Sequence, residues 1–369
     1  MNRNMAFIGT AVSLAAIFAA FRLLGSDQPT PAELMASSTP GIAAEASITA
    51  TPFQPEATAT PVTVTPTPVL QWEGWATPIN PYALTPIPYP LDPIGGGADD
   101  QPYDAYLILG SDFMSHRDTI NTDVVALVLL WSDESAGNHI SVISIPRDTY
   151  VFVPGWGMAR VNAAYALLDE QAAMDAIAYN FGIRPRNYVA LDMASFVSFI
   201  DYLGGVEITA GAAFFDKCGD FTIGINEGET RTLGGLSALC YARSRTSSSD
   251  FDRLRRQHEI MAGAFDALTI KAGSDPAGLA WQIYQTFFLD VDTDLTIQDG
   301  LGLAIFSAFT PKANVHFYSM VPPLVTRWTK PDTGAYLLIL PSQECLTDLF
   351  GRALRGLPWT ALGDFCPSG

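Results

Sequence analysis

Short apolar runs alternate along the chain with longer segments of helical periodicity. Three runs, 105–109, 124–131 and 139–145, are rich in β-branched residues and are bounded by polar turns. This pattern is typical of strands that are buried on both faces. A helix is predicted next, with Asn162 in position to cap it and apolar residues at near-helical spacing until Gly182.

The alternation continues toward the C-terminus. Further strands are predicted at 188–191, 206–209 and 315–320, and helices at 194–203, 236–241 and 251–271. Thr296 begins one more helix, because Asp299 three residues later completes a capping-box pattern. Mixed strands and helices in this order predict an α/β sandwich.

The N-terminal region has a different pattern. Residues 5–21 form an uncharged apolar run between Arg3 and Arg22, about the minimum length that spans the hydrocarbon core of a bilayer. We interpret residues 1–26 as a cytoplasmic tip and a signal-anchor transmembrane helix, with the rest of the chain outside the cell. A cleavable signal peptide is the competing interpretation, although its apolar core is usually shorter.

The segment that follows is interpreted as an extracytoplasmic linker, residues 27–98. It holds 14 of the 26 prolines and many threonines, and no Lys or Arg occurs between Arg22 and Arg117. Repeated Thr-Pro pairs favour extended backbone and prevent helix formation. The remaining chain divides into a catalytic domain, 99–345, and a C-terminal tail, 346–369.

The net charge of the chain limits the kinds of partner that it binds. A formal net charge of -18 and a pI near 4.4 argue against a nucleic-acid partner, which would require many basic contacts. Five arginines nevertheless lie between Arg243 and Arg256, directly before Gln257. The planar fork of arginine matches phosphate or carboxylate oxygens, so the cluster predicts an anion site. A solvated helix face with neighbouring carboxylates is the alternative.

Two carboxylates stand near the predicted strand ends. Asp112 follows one strand and Asp123 begins the next, while Arg147 follows a third. Carboxylates that face arginines provide what a magnesium-phosphate site needs, namely oxygen ligands for Mg²⁺ and cations for the remaining phosphate charge. Taken singly, either aspartate would also serve as a simple turn cap.

Other chemistries find less support. The chain lacks a Gly-x-Ser-x-Gly elbow, a phosphate-binding Gly-Lys loop and a His-Glu-x-x-His motif, and its four histidines are scattered. We therefore assign the histidines to surface or packing positions. Four cysteines allow two disulfides in an oxidising compartment, with three pairings open, and their spacing does not suit a zinc site. These cysteines are Cys218, Cys240, Cys345 and Cys366.

Seven motifs, taken together and in order, resemble the LytR-CpsA-Psr family over roughly 105–270, with weaker similarity through 291–320. The motifs are Leu109–Asp112, Asn121–Asp123, Ser144–Asp148, Arg160–Tyr165, Asp201–Val206, Leu233–Arg245 and Ser249–Gln257. The resemblance implies a single-pass membrane anchor before an extracytoplasmic α/β/α sandwich with a central mixed sheet. It also implies that some apolar residues line a tunnel for an isoprenoid tail.

The activity that the resemblance implies is phosphotransfer at the outer face of the cell membrane. A glycopolymer would pass from a polyprenyl pyrophosphate carrier to a cell-wall acceptor, typically a peptidoglycan sugar hydroxyl, as a phosphodiester. Asp112 and Asp123 would hold Mg²⁺, and either Asp123 or a neighbour would accept the proton of the hydroxyl. Together with Arg147 they form the expected catalytic set.

The remaining expected site residues bind the pyrophosphate. They are Arg117, Asn121, Arg243, Arg245, Arg253, Arg256 and Gln257. Asn121 departs from the arginine that is common in the family, and Arg117 lies close enough in the same loop to substitute. Two alternatives stay open: a non-catalytic envelope receptor for anionic lipid-linked glycans, and a polyprenyl pyrophosphate hydrolase with water as acceptor.

Overall fold

The structure is a computed structural model that describes residues 103–111, 122–133, 136–244, 250–285, 291–340 and 342–359. The strands in these ranges are β1 (Tyr103–Ser111), β2 (Thr122–Asp133), β3 (Gly137–Ile145), β4 (Tyr150–Val153), β5 (Gly157–Arg160), β6 (Asn187–Leu191), β7 (Val206–Thr209), β8 (Phe214–Cys218), β9 (Phe221–Ile225), β10 (Thr230–Leu233), β11 (Asp292–Thr293), β12 (Val315–Ser319), β13 (Thr326–Thr329) and β14 (Tyr336–Ile339). The α-helices are α1 (Ala164–Leu167), α2 (Glu170–Phe181), α3 (Met193–Leu203), α4 (Gly235–Arg243), α5 (Asp250–Ser274), α6 (Pro276–Ile283), α7 (Ile297–Ala308) and α8 (Gln343–Ala353), and two 3-10 turns are Val161–Ala163 and Lys312–Asn314.

A mixed sheet forms the centre of the fold, in the strand order β11-β6-β1-β2-β3-β12. The strands β1, β2 and β3 are antiparallel neighbours, whereas β6 runs parallel to β1 and β12 runs parallel to β3. Residues on successive positions of a strand point to opposite faces, so the long apolar runs of β1 to β3 supply both faces of the sheet. The predicted mixed sheet with helices is confirmed.

The two faces of the sheet pack against different helices. On one face, Leu107, Leu127 and Ile143 join a large buried cluster with residues of α2 and α8. On the other face, which we call the cavity face, Ala126 and Val142 belong to a smaller cluster flanked by residues of α5 and α7. Helices therefore cover both faces of the sheet, as expected of an α/β/α arrangement.

A third buried cluster joins α3, α4 and α5 to the short strands β7 to β10. Two glycines allow close backbone approach there: a Cβ at Gly235 would lie 2.4 Å from the Val197 carbonyl oxygen, and one at Gly263 would lie 2.4 Å from that of Glu207. A disulfide joins Cys218 in β8 to a cysteine in α4. It connects the β8–β9 hairpin to the helix that ends at Arg243.

Most predicted elements occur at or near their predicted positions, and the capping box of Thr296 and Asp299 at the start of α7 is confirmed. The predicted start of one helix was wrong. Asn162 lies in a 3-10 turn without capping it, and α2 instead begins after Asp169, whose carboxylate accepts from the backbone N–H of Ala172. The break between α1 and α2 separates two helices that the apolar spacing had merged.

The assignment of 346–369 to a tail also needs correction. Residues Leu346, Leu349 and Phe350 lie on α8 and are fully buried in the large cluster. These residues are separated by three positions and by one position, which places them on one side of the helix. Helix α8 is therefore part of the core. Cys345, on the same helix, is disulfide-bonded, and Cys366 lies beyond the described residues.

Both N-terminal predictions, the signal anchor at 5–21 and the linker at 27–98, lie outside the described residues. Within the described ranges, no helix combines the length and apolar character that crossing a bilayer requires.

Candidate active site

The site begins with an ion pair between the ends of two central strands. Asp123 is the second residue of β2, and Arg147 follows the last residue of β3 by two positions. Since Val125 pairs with Ile145 in an antiparallel register, continuing that register brings Asp123 opposite Arg147. Nη1 of Arg147 donates a hydrogen bond to Oδ1 of Asp123. Both side chains are about four-fifths buried, at 19% and 18% exposure.

A second arginine approaches the same carboxylate from a helix. Arg243 is the last residue of α4, and its Nη2 lies 3.9 Å from Oδ2 of Asp123. Its Nη1 lies 2.9 Å from Sδ of Met193, at the start of α3. A cation at a helix C-terminus interacts favourably with the helix dipole. Asp123 thus lies between two guanidinium groups, each of which has further N–H donors for an anion.

The ion pairs continue away from Asp123 along the next segment. Nε of Arg147 lies 3.4 Å from Oδ2 of Asp148, and Nε of Arg160 lies 3.2 Å from Oδ1 of the same residue. Asp148 is almost fully buried. Asp148 and Arg160 lie within the sequence motifs given above, but no role was predicted for either residue. Their alternating charges hold Arg147 in place beside Asp123.

A small cavity of about 140 Å³ opens at Asp123 and Arg243. Gln257 of α5 lines it and is 4% exposed. Its Nε2 donates to the carbonyl oxygen of Ala242 at 3.4 Å, whereas its Oε1 has no hydrogen-bond partner within the described part of the chain. A buried amide oxygen is normally hydrogen-bonded, so a donor from a bound ligand would stabilise Gln257 in this position.

A larger apolar cavity of about 370 Å³ lies beside the small one on the cavity face. The two share Ile108 of β1 and Leu191 of β6 as lining residues. Side chains from β6, β11 and helices α3, α5, α6 and α7 form its walls, with Phe199, Leu268 and Leu303 among them. Most of its lining residues are apolar, as is usual for sites that bind apolar ligands.

Arg253 and Arg256 are placed apart from both cavities. Arg256 is buried, and it donates from Nε to the Tyr241 carbonyl at 2.7 Å and from Nη2 to the Ser244 carbonyl at 2.6 Å. Burial lowers its pKa. It satisfies carbonyls at the end of α4 and so supports the helix of Arg243. Its contact with the pyrophosphate stays a prediction. Arg253 is also buried and pairs with Asp250 at 3.5 Å.

A histidine that the sequence analysis assigned to surface or packing connects α5 to the sheet. Nε2 of His258 lies 2.7 Å from Oγ of Ser144 in β3, and Nδ1 lies 3.4 Å from Oγ of Ser319 in β12. Burial lowers its pKa to about 4. His258 is neutral at physiological pH and ties the helix of Gln257 to the strand that leads to Arg147.

Four predicted site residues, Asp112, Arg117, Asn121 and Arg245, lie outside the described residues. In the described ranges, no group of three or more His, Cys, Asp or Glu side chains comes together to hold a metal ion. Of the predicted site, the structure therefore brings together Asp123, Arg147, Arg243 and Gln257.

Part of the chain is similar in sequence to curated cell-wall proteins. The chain is 32% identical over 130 residues to the "Probable cell wall biosynthesis protein LcpB" of Corynebacterium glutamicum, covering 35% of this chain and 31% of the relative. It is 31% identical over 157 residues to the "Polyisoprenyl-teichoic acid--peptidoglycan teichoic acid transferase TagU" of Enterococcus faecalis, covering 42% and 48% respectively. The matched segment is less than half of each relative.

The fold has counterparts among solved structures. The crystal structure of B. subtilis TagV has a TM-score of 0.58 and 24% sequence identity, and the match covers 70% of this chain and 98% of that chain. The model of the LytR_cpsA_psr family matches residues 98–343, which is more than half of the chain. On this match, the chain belongs to the LytR_cpsA_psr family.

Proposed function

We propose that this protein transfers a glycopolymer phosphate from a polyprenyl pyrophosphate carrier to a hydroxyl of a cell-wall acceptor. The observation that carries the proposal is a pair of neighbouring cavities: a 370 Å³ apolar chamber shares Ile108 and Leu191 with a small cavity lined by Asp123, Arg243 and Gln257. An isoprenoid pyrophosphate has the same division, with an apolar chain joined to a concentrated negative charge. The printed name of the TagU relative describes a transferase of this kind.

The proposed step exchanges one phosphorus–oxygen bond for another. The acceptor oxygen attacks the phosphorus atom attached to the glycopolymer, and the bond to the bridging oxygen of the pyrophosphate breaks. Polyprenyl phosphate leaves with that oxygen and its electron pair. The hydroxyl proton passes to a carboxylate such as Asp123 or to the departing phosphate.

Arg147 and Arg243 would stabilise the charge that develops in this step. Both guanidinium groups already approach Asp123, so their positions are set before the pyrophosphate binds. The partly buried site strengthens their attraction to phosphate oxygens. Gln257, which lines the small cavity, would accept a hydrogen bond from the acceptor hydroxyl through its Oε1.

We propose Mg²⁺ as the cofactor, with Asp123 and Asp112 as its ligands. The residues fit this ion, because Mg²⁺ is commonly bound through one or two carboxylates together with substrate phosphates, without a complete protein cage. Asp123 supplies such a carboxylate at the cavity wall. When bound, Mg²⁺ would neutralise part of the pyrophosphate charge.

We further propose that the protein acts at the outer face of the cell membrane, attached through residues 5–21. The Cys218–Cys240 disulfide supports this location, because such bonds persist in oxidising compartments. A membrane position would also give the apolar chamber access to lipid carriers. The proposed acceptor is peptidoglycan or another envelope polymer.

The test measures carrier turnover by the full chain, with and without an acceptor glycan, in Mg²⁺ and in chelator. Acceptor-dependent product that is lost in chelator is the expected result. Release of glycopolymer phosphate to water alone would indicate a hydrolase, and carrier binding without turnover would indicate a receptor. Asp123→Ala should abolish turnover in a folded protein, while Asp266→Ala, which removes a surface partner of Lys312, should not.

A further inference from the structure

A small hairpin is attached to the outer end of the ion-pair chain that begins at Asp123. The backbone N–H of Leu338 in β14 donates to the carbonyl of Asp148 at 2.9 Å, and Leu338 also forms a parallel bridge with Thr149. Nη2 of Arg160 donates to the carbonyl of Tyr336 at 2.9 Å. The β13–β14 hairpin is therefore held directly beside the charged residues of the site.

The attachment brings aromatic rings together at the surface. The ring centroids of Tyr150 in β4 and Trp328 in β13 lie 5.8 Å apart, with 31° between their planes. Both residues are half-buried, and Tyr336 on β14 is 39% exposed. The β4–β5 register places Arg160 directly opposite Tyr150. Arg160, which pairs with Asp148 in the site, therefore lies across from one of the two tilted rings.

Charged groups surround these rings. The side chain of Arg160 is 41% exposed. Lys330 lies close enough to Tyr150 for electrostatic interaction, and its Nζ is 3.0 Å from Oδ2 of Asp332. We call the surface formed by Tyr150, Arg160, Trp328 and Lys330 the aromatic ledge. Aromatic faces flanked by donors and acceptors suit a ligand that has both apolar C–H faces and hydroxyl groups.

We propose that the aromatic ledge binds a sugar ring of the acceptor glycan. One face of a pyranose presents C–H groups, which pack on the electron-rich face of an aromatic ring, while its hydroxyls and amides hydrogen-bond to neighbouring charged groups. This proposal rests on the proposed function, since it names where that function's acceptor binds.

The position of the ledge favours the acceptor over the carrier. The apolar chamber shares Ile108 and Leu191 with the small cavity that Asp123 lines. The ledge reaches the same carboxylate through Arg147, Asp148 and Arg160. Carrier and acceptor would thus approach the site from different directions, as a transfer between two bound substrates requires.

The experiment measures binding of chitotetraose, a tetramer of N-acetylglucosamine, and of purified peptidoglycan sacculi to the full chain in detergent. Trp328→Leu removes the aromatic face and should weaken binding about 10-fold or more, and Trp328→Phe should restore it to within about 3-fold. Trp281→Leu is the control, because Trp281 is an exposed tryptophan that lies on α6, outside the ledge. Thermal melting checks the fold of each variant.

Equal binding by wild type and Trp328→Leu, or no binding by the wild type to either glycan, would overturn the proposal. If Trp328→Leu does not fold, Tyr150→Leu provides the same test on the other ring. Because binding needs no turnover, the two proposals are distinguishable. If the wild type binds glycan, Trp328→Leu does not, and the wild type transfers no glycopolymer, the ledge is supported and the proposed transferase is refuted.

Discussion

The two faces of the central sheet are packed very differently. On the face toward α2 and α8, Phe181, Ile177 and Phe350 have no exposed surface, and the ring centroids of the two phenylalanines lie 5.7 Å apart. On the cavity face, α7 has an apolar sequence but contains no fully buried residue, and a 370 Å³ cavity lies beside it.

This difference in packing indicates that the two faces have different roles, one in stability and the other in forming a cavity. Dense packing maximises dispersion contacts and apolar burial, so the α2–α8 face supplies most of the stability. A cavity forfeits those contacts, so the cavity face contributes less to stability for its area. The loosely packed α7 is consistent with a wall that adapts to an apolar chain.

The largest effect on stability is expected from Phe350→Ala. It should lower the free energy of unfolding by about 3 to 5 kcal/mol, because the fully packed surroundings leave a cavity. Leu303→Ala, on the wall of the apolar chamber, should cost only about 1 kcal/mol, since Leu303 is half-buried beside existing empty space. Urea unfolding followed by circular dichroism measures both, and equal losses would contradict the proposed division.

The second largest effect on stability is expected from pH, through His258, which joins the cavity-face helix α5 to the sheet. Burial holds its pKa at about 4, below the usual 6.5, so the unfolded chain binds the proton more readily. Stability should therefore fall as pH decreases from about 6.5 to 4, by on the order of 3 kcal/mol from this group. Unfolding curves of wild type and His258→Gln across this range test it, and identical pH slopes would refute the assignment.

The smallest change in stability is expected from filling the chamber. Ala304→Phe places a ring in space that Ala304 lines, so the free energy of unfolding should change by only about 1 kcal/mol. Affinity for a polyprenyl pyrophosphate should nevertheless fall about 10-fold or more. Ala213→Phe, at an exposed loop residue, is the matched control. Unchanged carrier affinity in a folded Ala304→Phe variant would show that the lipid lies elsewhere.

Much of the fold could be predicted because its signals are local. The apolar runs of β1, β2 and β3 and the capping box of α7 depend on neighbouring residues, and the structure contains each of them. Asn162 shows the limit of such signals. A suitable cap type precedes an apolar pattern there, yet the chain turns again before α2, where Asp169 makes the capping hydrogen bond.

The site was predictable in part for a similar reason. Asp123 and Arg147 lie at the ends of recognisable strands, so their pairing follows from antiparallel register. The arginine cluster was less informative, because residues one position apart on a helix face different surroundings. Gln257 lines the small cavity, whereas Arg256 is directed at backbone carbonyls of α4.

The sequence by itself determined the type of fold, the family and the chemical character of the site, because these depend on residue types and their order. Only the tertiary structure decided which charges meet, that the apolar chamber adjoins them, and that the β13–β14 hairpin borders the site. Those features arise from contacts between residues far apart in the chain. Arg160 and Tyr336 are 176 positions apart in the chain, and no local sequence pattern predicts that two such residues are in contact.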